Sequence, residues 1–232
     1  MSRRIAALFA AVVLLVLATT LVNRVLPGWA YPITGVVTTA GLIGLAYWSG
    51  LRSAAIGLDR AHLRRAGLFG LMGLGVIALG FGIALAVPAL RTFFHDGRVH
   101  DLAVGPLLWV MLIRIPFGTV LLEEVAFRGV LPALLGGGDR WRWGPVLGAS
   151  ALFGLWHVLP SLALTSNAAV GAVFGGASLA LVSVVAMLAA AVAGVLLLWW
   201  RHTGKGVLAP ALVHLATNSG GVLVAWYVLS SA

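Results

Sequence analysis

Apolar runs of about eighteen residues or more recur along the chain, and each is long enough to cross a hydrocarbon core about 30 Å thick as a helix. Hydrophobic residues make up 61% of the 232 residues and charged residues only 9%. Soluble domains usually carry about a quarter charged residues. The pattern therefore predicts an all-α, polytopic bundle of transmembrane helices and excludes soluble globular and disordered folds.

Charged, aromatic and Gly/Pro positions delimit seven predicted spans, and an eighth remains an alternative. The seven are Ile5–Leu26, Tyr31–Trp48, Gly67–Leu90, Leu102–Val125, Gly144–Leu159, Leu179–Trp200 and Val207–Leu229. The glycine-interrupted stretch Ala168–Ala177 extends the sixth span, forms a re-entrant turn or belongs to an eighth crossing. We assign residues 1–101 to N-terminal spans and residues 102–232 to a core that carries the polar motifs.

Basic residues lie between the apolar runs rather than on one domain, although the net charge is +9. A cytoplasmic N-terminus places eleven of them in the cytoplasm and leaves Arg24, Arg91 and Arg98 on the other side. This asymmetry is what the positive-inside rule requires. We expect a multi-pass protein of the cell membrane with a cytoplasmic N-terminus, whose partner is the lipid bilayer and not nucleic acid.

Two adjacent carboxylates, Glu123 and Glu124, lie at the end of an apolar run, and the chain has no Cys to supply a thiol. A charge at the bilayer centre costs roughly 2.5 to 3.5 kcal/mol on insertion scales, so it needs a partner or a function. Arg128 shares a helical face with Glu124, whereas Glu123 points away from it. Glu123 is therefore a candidate general base. A structural ion-pair cluster is the alternative.

Two more polar positions interrupt otherwise apolar spans. His157 follows Phe153 by four residues, and His214 precedes Asn218 by four, so each pair shares a helix face. Interhelical hydrogen bonds would explain either pair alone. Together with the glutamates they supply the minimum set of groups for activating water.

Other conspicuous residues are predicted to serve the membrane. For Arg114 three interpretations are open: snorkelling to the outer interface, which is the simplest, pairing with a carboxylate, or contacting a substrate. Aromatic residues at span ends are expected to be interfacial anchors. They are Trp29, Tyr31, Trp48, Trp141, Trp143, Trp199, Trp200, Trp226 and Tyr227. Glycines of the third span predict close helix packing. They are Gly70, Gly73, Gly75, Gly80 and Gly82.

The polar motifs resemble those of the CAAX-protease and bacteriocin-processing (CPBP, also called Abi) intramembrane proteases. The segment that starts at Glu123 matches EExxxR, the one that ends at His157 matches FxxxH, and the one that starts at His214 matches HxxxN. They occur in the family's order within residues 118–221, which makes the joint match specific. The resemblance implies a CAAX-protease-like core with a catalytic set and two supporting residues. The catalytic set is Glu123, His157, His214 and Asn218, and the supporting residues are Glu124 and Arg128.

The resemblance implies an intramembrane endopeptidase that cuts a peptide bond near the membrane, and a metal-free enzyme and a metalloprotease are the two alternatives. Without a metal, Glu123 and His157 would activate water while His214 and Asn218 bind the oxyanion. With one, Glu123, His157 and His214 would hold zinc. The other hypotheses are a transporter or proton relay and a non-catalytic immunity or scaffold protein.

The expected substrate is a peptide or a membrane protein. Arg outnumbers Lys fourteen to one, which favours a GC-rich bacterial genome and makes a prenylated substrate the less expected case. We expect the substrate to enter a conical cavity that opens to the inner leaflet.

Overall fold

The structure is a computed structural model that describes residues 2–97, 99, 101–162, 175 and 178–231, and most of this part of the chain is helical. Its principal helices are α1 (Arg3–Val25), α2 (Ala30–Trp48), α3 (Arg60–Ala86), α4 (Val104–Leu134), α5 (Trp143–Trp156), α6 (Leu179–Gly204) and α7 (Leu208–Ser230). All of them except α5 are long and apolar enough to cross a membrane. The predicted polytopic helical bundle is therefore confirmed.

Helix α5 differs most from its predicted span, Gly144–Leu159. It has 14 residues, which corresponds to about 21 Å, and a separate turn, Val158–Ser161, follows it. Because a hydrocarbon core is about 30 Å thick, α5 ends part-way through the bundle. Among the described residues, six helices rather than seven are long enough to cross. The stretch Ala168–Ala177 lies outside the described residues apart from Gly175, so the eighth crossing stays a prediction.

Three connections meet at one end of the bundle. Arg201, near the end of α6, donates hydrogen bonds to the carbonyl oxygens of Gly138 (2.9 Å) and Ala55 (3.0 Å). These oxygens belong to the connections after α4 and after α2, so one buried guanidinium ties three chain segments together. We call this the basic end. The opposite end, where residues 87–103 join α3 to α4, is the distal end.

The hydrogen-bond pattern of α4 changes around its polar residues. Val110–Val120 and Val125–Val130 form wide π-helical turns, and the regular turn Leu121–Glu124 lies between them. Pro116 lies inside the first wide segment. It has no N–H and its ring clashes with a carbonyl in the preceding turn, which favours widening of the helix. Both glutamates therefore lie on a short α-helical turn between two wide ones.

Helices α2 and α4 approach closely at two glycines. A Cβ atom on Gly35 would overlap the carbonyl oxygen of Phe117, and one on Gly118 would overlap the ring of Tyr31. Small residues allow such close approach of helix backbones in a membrane. The contact presses Tyr31 against α4.

Helices α3 and α7 also pack through glycine. A Cβ on Gly70 or Gly73 would overlap Leu212 or Val213 of α7, respectively, as close packing requires. The prediction is thus confirmed for these two positions. It is wrong for the other three, since a Cβ there would meet no described atom within 4 Å. Those three are Gly75, Gly80 and Gly82.

One apolar core joins the N-terminal helices to the later ones. It contains Ala7 and Leu15 of α1, Leu42 of α2, Val130 of α4 and Leu198 of α6. Residues on both sides of the predicted 101/102 boundary share this core, and the division into two regions stays a prediction. Large apolar side chains also cover the outer surface, as is usual for helices that face lipid. Examples are Phe9, Val76, Leu79, Leu188 and Leu196.

Candidate active site

Glu123 places its carboxylate in the interior of the bundle, and the residue is 4% exposed. Its Cα lies about 16 Å along α4 from the basic end of that helix. Oε1 accepts a hydrogen bond of 2.9 Å from the indole Nε1–H of Trp156, the last residue of α5. Oε2 has no hydrogen-bond partner among the described residues. One oxygen is thus fixed by α5, and the other remains available to accept a proton.

Glu124 joins α4 to α7 through one oxygen atom. Its Oε1 lies 2.7 Å from Nδ1 of His214 and 3.2 Å from Nη1 of Arg128. An ionised carboxylate only accepts hydrogen bonds, so Nδ1–H of His214 is the donor. Glu124 and Arg128 are both at most 1% exposed, and the contact between them is the one that their spacing on a helix predicts.

His214 also faces Glu123 and Asn218. Its Nε2 atom lies 3.8 Å from Oε2 of Glu123 and 3.1 Å from Nδ2 of Asn218. The 3.8 Å separation is too long for a hydrogen bond but close enough for strong electrostatic interaction between the two groups. An oxygen atom bound beside Nε2 would therefore have Glu123 on one side and Asn218 on the other.

Aromatic rings enclose the charged side of the cluster. The guanidinium carbon of Arg128 lies 4.0 Å from the centroid of the Phe153 ring, a cation–π contact. Phe127 packs edge-to-face on both Phe153 and Trp156, with centroids 5.0 and 5.8 Å apart. These rings exclude water from the Glu124–Arg128 pair, which strengthens its electrostatic interaction.

A cavity of about 500 Å³ extends from Asn218 toward the distal end. Its walls include Arg114 of α4, Thr217 of α7 and the rings of Phe93 and Phe94. The cavity lies on the opposite side of Asn218 from the basic end. A cytoplasmic N-terminus would place the basic end in the cytoplasm and this cavity toward the other side of the membrane. For this cavity, the predicted cytoplasmic N-terminus and the predicted opening to the inner leaflet therefore do not both hold.

The model of one protein family, described as type II CAAX prenyl endopeptidase Rce1-like, matches residues 105–220. That range covers half of the chain and contains all three polar motifs. The chain belongs to this Rce1-like family. Neither the comparison with curated proteins nor the one with solved structures gives a match. The Rce1-like assignment confirms the resemblance seen in the sequence and, at the level of the family, supports an intramembrane endopeptidase, which is a peptide hydrolase in a multi-pass membrane protein.

The Rce1-like fold brings five of the six predicted site residues into one connected cluster. They are Glu123, Glu124, Arg128, His214 and Asn218. His157 lies directly after Trp156 at the end of α5, and its Nδ1 is 2.8 Å from the carbonyl oxygen of Phe153. Since the indole of the preceding residue, Trp156, reaches Glu123, His157 lies near the depth of Glu123 in the bundle. Its catalytic role stays a prediction.

The fit of a zinc ion to the Rce1-like site can be tested on the ligand geometry. Among the described residues, no three His, Asp or Glu side chains are arranged to hold one metal ion. In both histidines Nδ1 is the hydrogen-bonded nitrogen, with Glu124 as the partner of His214 and a backbone carbonyl as the partner of His157. Metal-bound histidines make such bonds too, so these contacts do not decide the question. In the described part of the chain, Glu123, His157 and His214 are not brought together as a three-ligand site, so the zinc set stays a prediction and no step is derived through a metal.

Sequence reasoning missed two side chains of the Rce1-like site. Trp156 binds Glu123, and its position inside the FxxxH segment was the signal that could have identified it. Tyr31 was assigned to an interfacial belt, but its ring lies 4.9 Å from the guanidinium carbon of Arg114. Its hydroxyl lies in the neighbourhood of Thr119 and Glu123. Only the tertiary contact at Gly118 reveals that placement.

Proposed function

We propose that the protein is an intramembrane endopeptidase that hydrolyses its peptide or membrane-protein substrate with a water molecule activated by Glu123. The observation that carries the proposal is the arrangement of buried Glu123 and His214 with the partly buried Asn218. Nε2 of His214 is 3.8 Å from the Glu123 carboxylate and 3.1 Å from the Asn218 amide. This arrangement places a base beside an imidazole and an amide, the two groups that can stabilise an oxyanion, which is what peptide hydrolysis requires.

The charges of the cluster support a donating His214. Glu123 and Glu124 carry two negative charges and Arg128 one positive charge, so a second positive charge on the imidazole makes the set neutral. A compensated set is far less costly in an apolar interior than an uncompensated one. In the structure Nδ1–H of His214 donates to Glu124, and Nε2 accepts a hydrogen bond from Nδ2–H of Asn218. When Nε2 is protonated that bond is lost, and both Nε2–H and the amide N–H can then donate to the reacting oxygen.

The reaction proceeds in two steps. Oε2 of Glu123 takes a proton from water, whose oxygen bonds to the carbonyl carbon of the substrate while the carbonyl oxygen becomes an oxyanion. Nε2–H of His214 and the amide of Asn218 stabilise that charge. Glu123 then gives the proton to the amide nitrogen as the C–N bond breaks. His157 keeps the assisting role in water activation that the family resemblance implies.

The experiment compares membranes that carry the wild type with membranes that carry Glu123→Gln, using mass spectrometry of peptide termini. The substitution preserves the acceptor of the Trp156 hydrogen bond but removes the base. Termini that appear with the wild type and disappear with the variant support proteolysis and identify the substrate.

A matched control replaces a carboxylate outside the site. Asp59→Asn changes a side chain that caps a turn near the basic end, where its Oδ1 accepts a hydrogen bond from the Ala61 amide at 3.1 Å. This variant should give the wild-type set of termini. If Glu123→Gln also gives the wild-type set while folded and equally abundant, the protein is not a protease that uses Glu123.

A further inference from the structure

The cavity beside Asn218 contains a positive charge that the proposed chemistry does not use. Among the described residues of its walls, the formally charged ones are Arg114 and Asp96. Asp96 belongs to the segment between α3 and α4 at the distal end, whereas Arg114 lies on α4 itself. The guanidinium of Arg114 is accessible from the cavity.

Arg114 is held in place within the membrane-spanning part of α4. It lies ten residues inside that helix, about 15 Å from its first residue. Its guanidinium carbon is 4.9 Å from the ring centroid of Tyr31, so the group stays over α2 rather than being solvated beyond the end of α4. The tyrosine is itself fixed by its close contact with Gly118. A pre-oriented guanidinium needs less ordering when a ligand binds.

A carboxylate is the chemical group that fits this site. A guanidinium offers a planar pair of N–H donors that matches the two oxygens of a carboxylate. The aromatic walls formed by Phe93 and Phe94 suit apolar side chains that accompany such a group.

We infer that Arg114 is a specificity-determining residue, which binds a carboxylate of the peptide substrate in the distal cavity while the scissile bond lies at Glu123. The inference rests on the proposed function and adds the substrate's charge to it. Nine residues separate Arg114 from Glu123 along α4, or about 13 Å. An extended peptide covers that distance in about four residues. The carboxylate is either the free C-terminus or an acidic side chain at that spacing.

The test measures binding instead of cleavage. Three fluorescein-labelled heptapeptides of Ala, Leu and Val are compared by fluorescence anisotropy: one with a free C-terminal carboxylate, one with a C-terminal amide, and one amidated with Glu as its last residue. The protein is the full chain in detergent, as Glu123→Gln, so that no peptide is consumed. The free-acid peptide should bind about 10- to 100-fold more tightly than the plain amide.

Substitutions at Arg114 separate its charge from a general effect on the fold. In the Glu123→Gln background, Arg114→Gln should remove the preference for the acid, and Arg114→Lys should retain part of it. Arg24→Gln is the matched control, because this exposed arginine does not line the cavity. It should leave the preference unchanged. Tight binding of the Glu peptide assigns the site to any carboxylate, whereas tight binding of the free acid alone assigns it to a C-terminus.

Equal affinity for all three peptides overturns the inference, as does an acid preference that survives Arg114→Gln. These outcomes are distinct from failure of the proposed function. An acid preference that depends on Arg114, in a protein whose wild type releases no new termini, would support the carboxylate site and reject proteolysis. New termini from the wild type, without any preference for the acid peptide, would support proteolysis and reject the carboxylate site.

Discussion

Glu123 and Trp156 are joined by a hydrogen bond of 2.9 Å although 33 residues separate them along the chain. The bond fixes one oxygen of the carboxylate and directs the other toward His214. It thereby connects the orientation of the proposed base to the short helix α5.

Trp156→Phe should lower kcat about 10- to 100-fold and change KM little. The variant loses a hydrogen bond to a charged group, which contributes about 1.5 to 3 kcal/mol, but keeps an aromatic ring against Phe127. Steady-state kinetics on a peptide substrate identified from the termini would measure this. An unchanged kcat would show that the bond does not orient the base.

Glu124→Gln should destabilise the protein as well as inactivate it. The substitution leaves the fully buried Arg128 without its counter-charge, which costs about 3 to 5 kcal/mol. We expect Tm to fall by on the order of 10 °C in thermal unfolding in detergent. Glu123→Gln is the matched comparison and should lower Tm far less, since Glu123 has no contact with a guanidinium in the described structure. Equal Tm values for the two variants would contradict this division of roles.

Gly118→Ala should disrupt the packing of α2 on α4. The added methyl group would overlap the ring of Tyr31, and overpacking of this kind costs about 1 to 3 kcal/mol. Gly75→Ala adds the same group where no described atom lies within 4 Å, so it serves as the control. Thermal unfolding should distinguish the two. A Gly118→Ala protein as stable as Gly75→Ala would show that α2 can shift without cost.

Chelation should leave peptide hydrolysis unchanged. The described residues include no arrangement of three His, Asp or Glu ligands, and the proposed mechanism activates water with Glu123 rather than with a metal ion. Activity measured after prolonged dialysis against 1,10-phenanthroline should equal that of the untreated protein. Loss of activity that only added zinc restores would contradict this prediction, because it would require these side chains to rearrange into a metal site.

The sequence predicted the class of fold and most of the cluster because both depend on short-range patterns. Apolar run length determines the spans, and spacing of four residues on a helix determines the Glu124–Arg128 contact. The three motifs identified the residues of the cluster but not their contacts. Only the packing of the helices brings His214 of α7 to Glu124 of α4, which lies 90 residues earlier in the chain.

Other predictions failed where the answer depended on neighbouring helices. Tyr31 has the composition and position of an interfacial anchor, but two glycines let α2 approach α4 and bring its ring to Arg114. Hydropathy also could not predict that α5 ends at Trp156, because apolar residues continue beyond that position.

The oxygen of Glu124 that serves both His214 and Arg128 has a consequence for how this activity can be lost during evolution. A substitution there would remove a support of the fold together with a catalytic interaction, so selection for a folded protein would oppose it. A substitution at Glu123 carries no such penalty. A descendant that became a non-enzymatic membrane protein would therefore be expected to lose the first glutamate of the pair and retain the second.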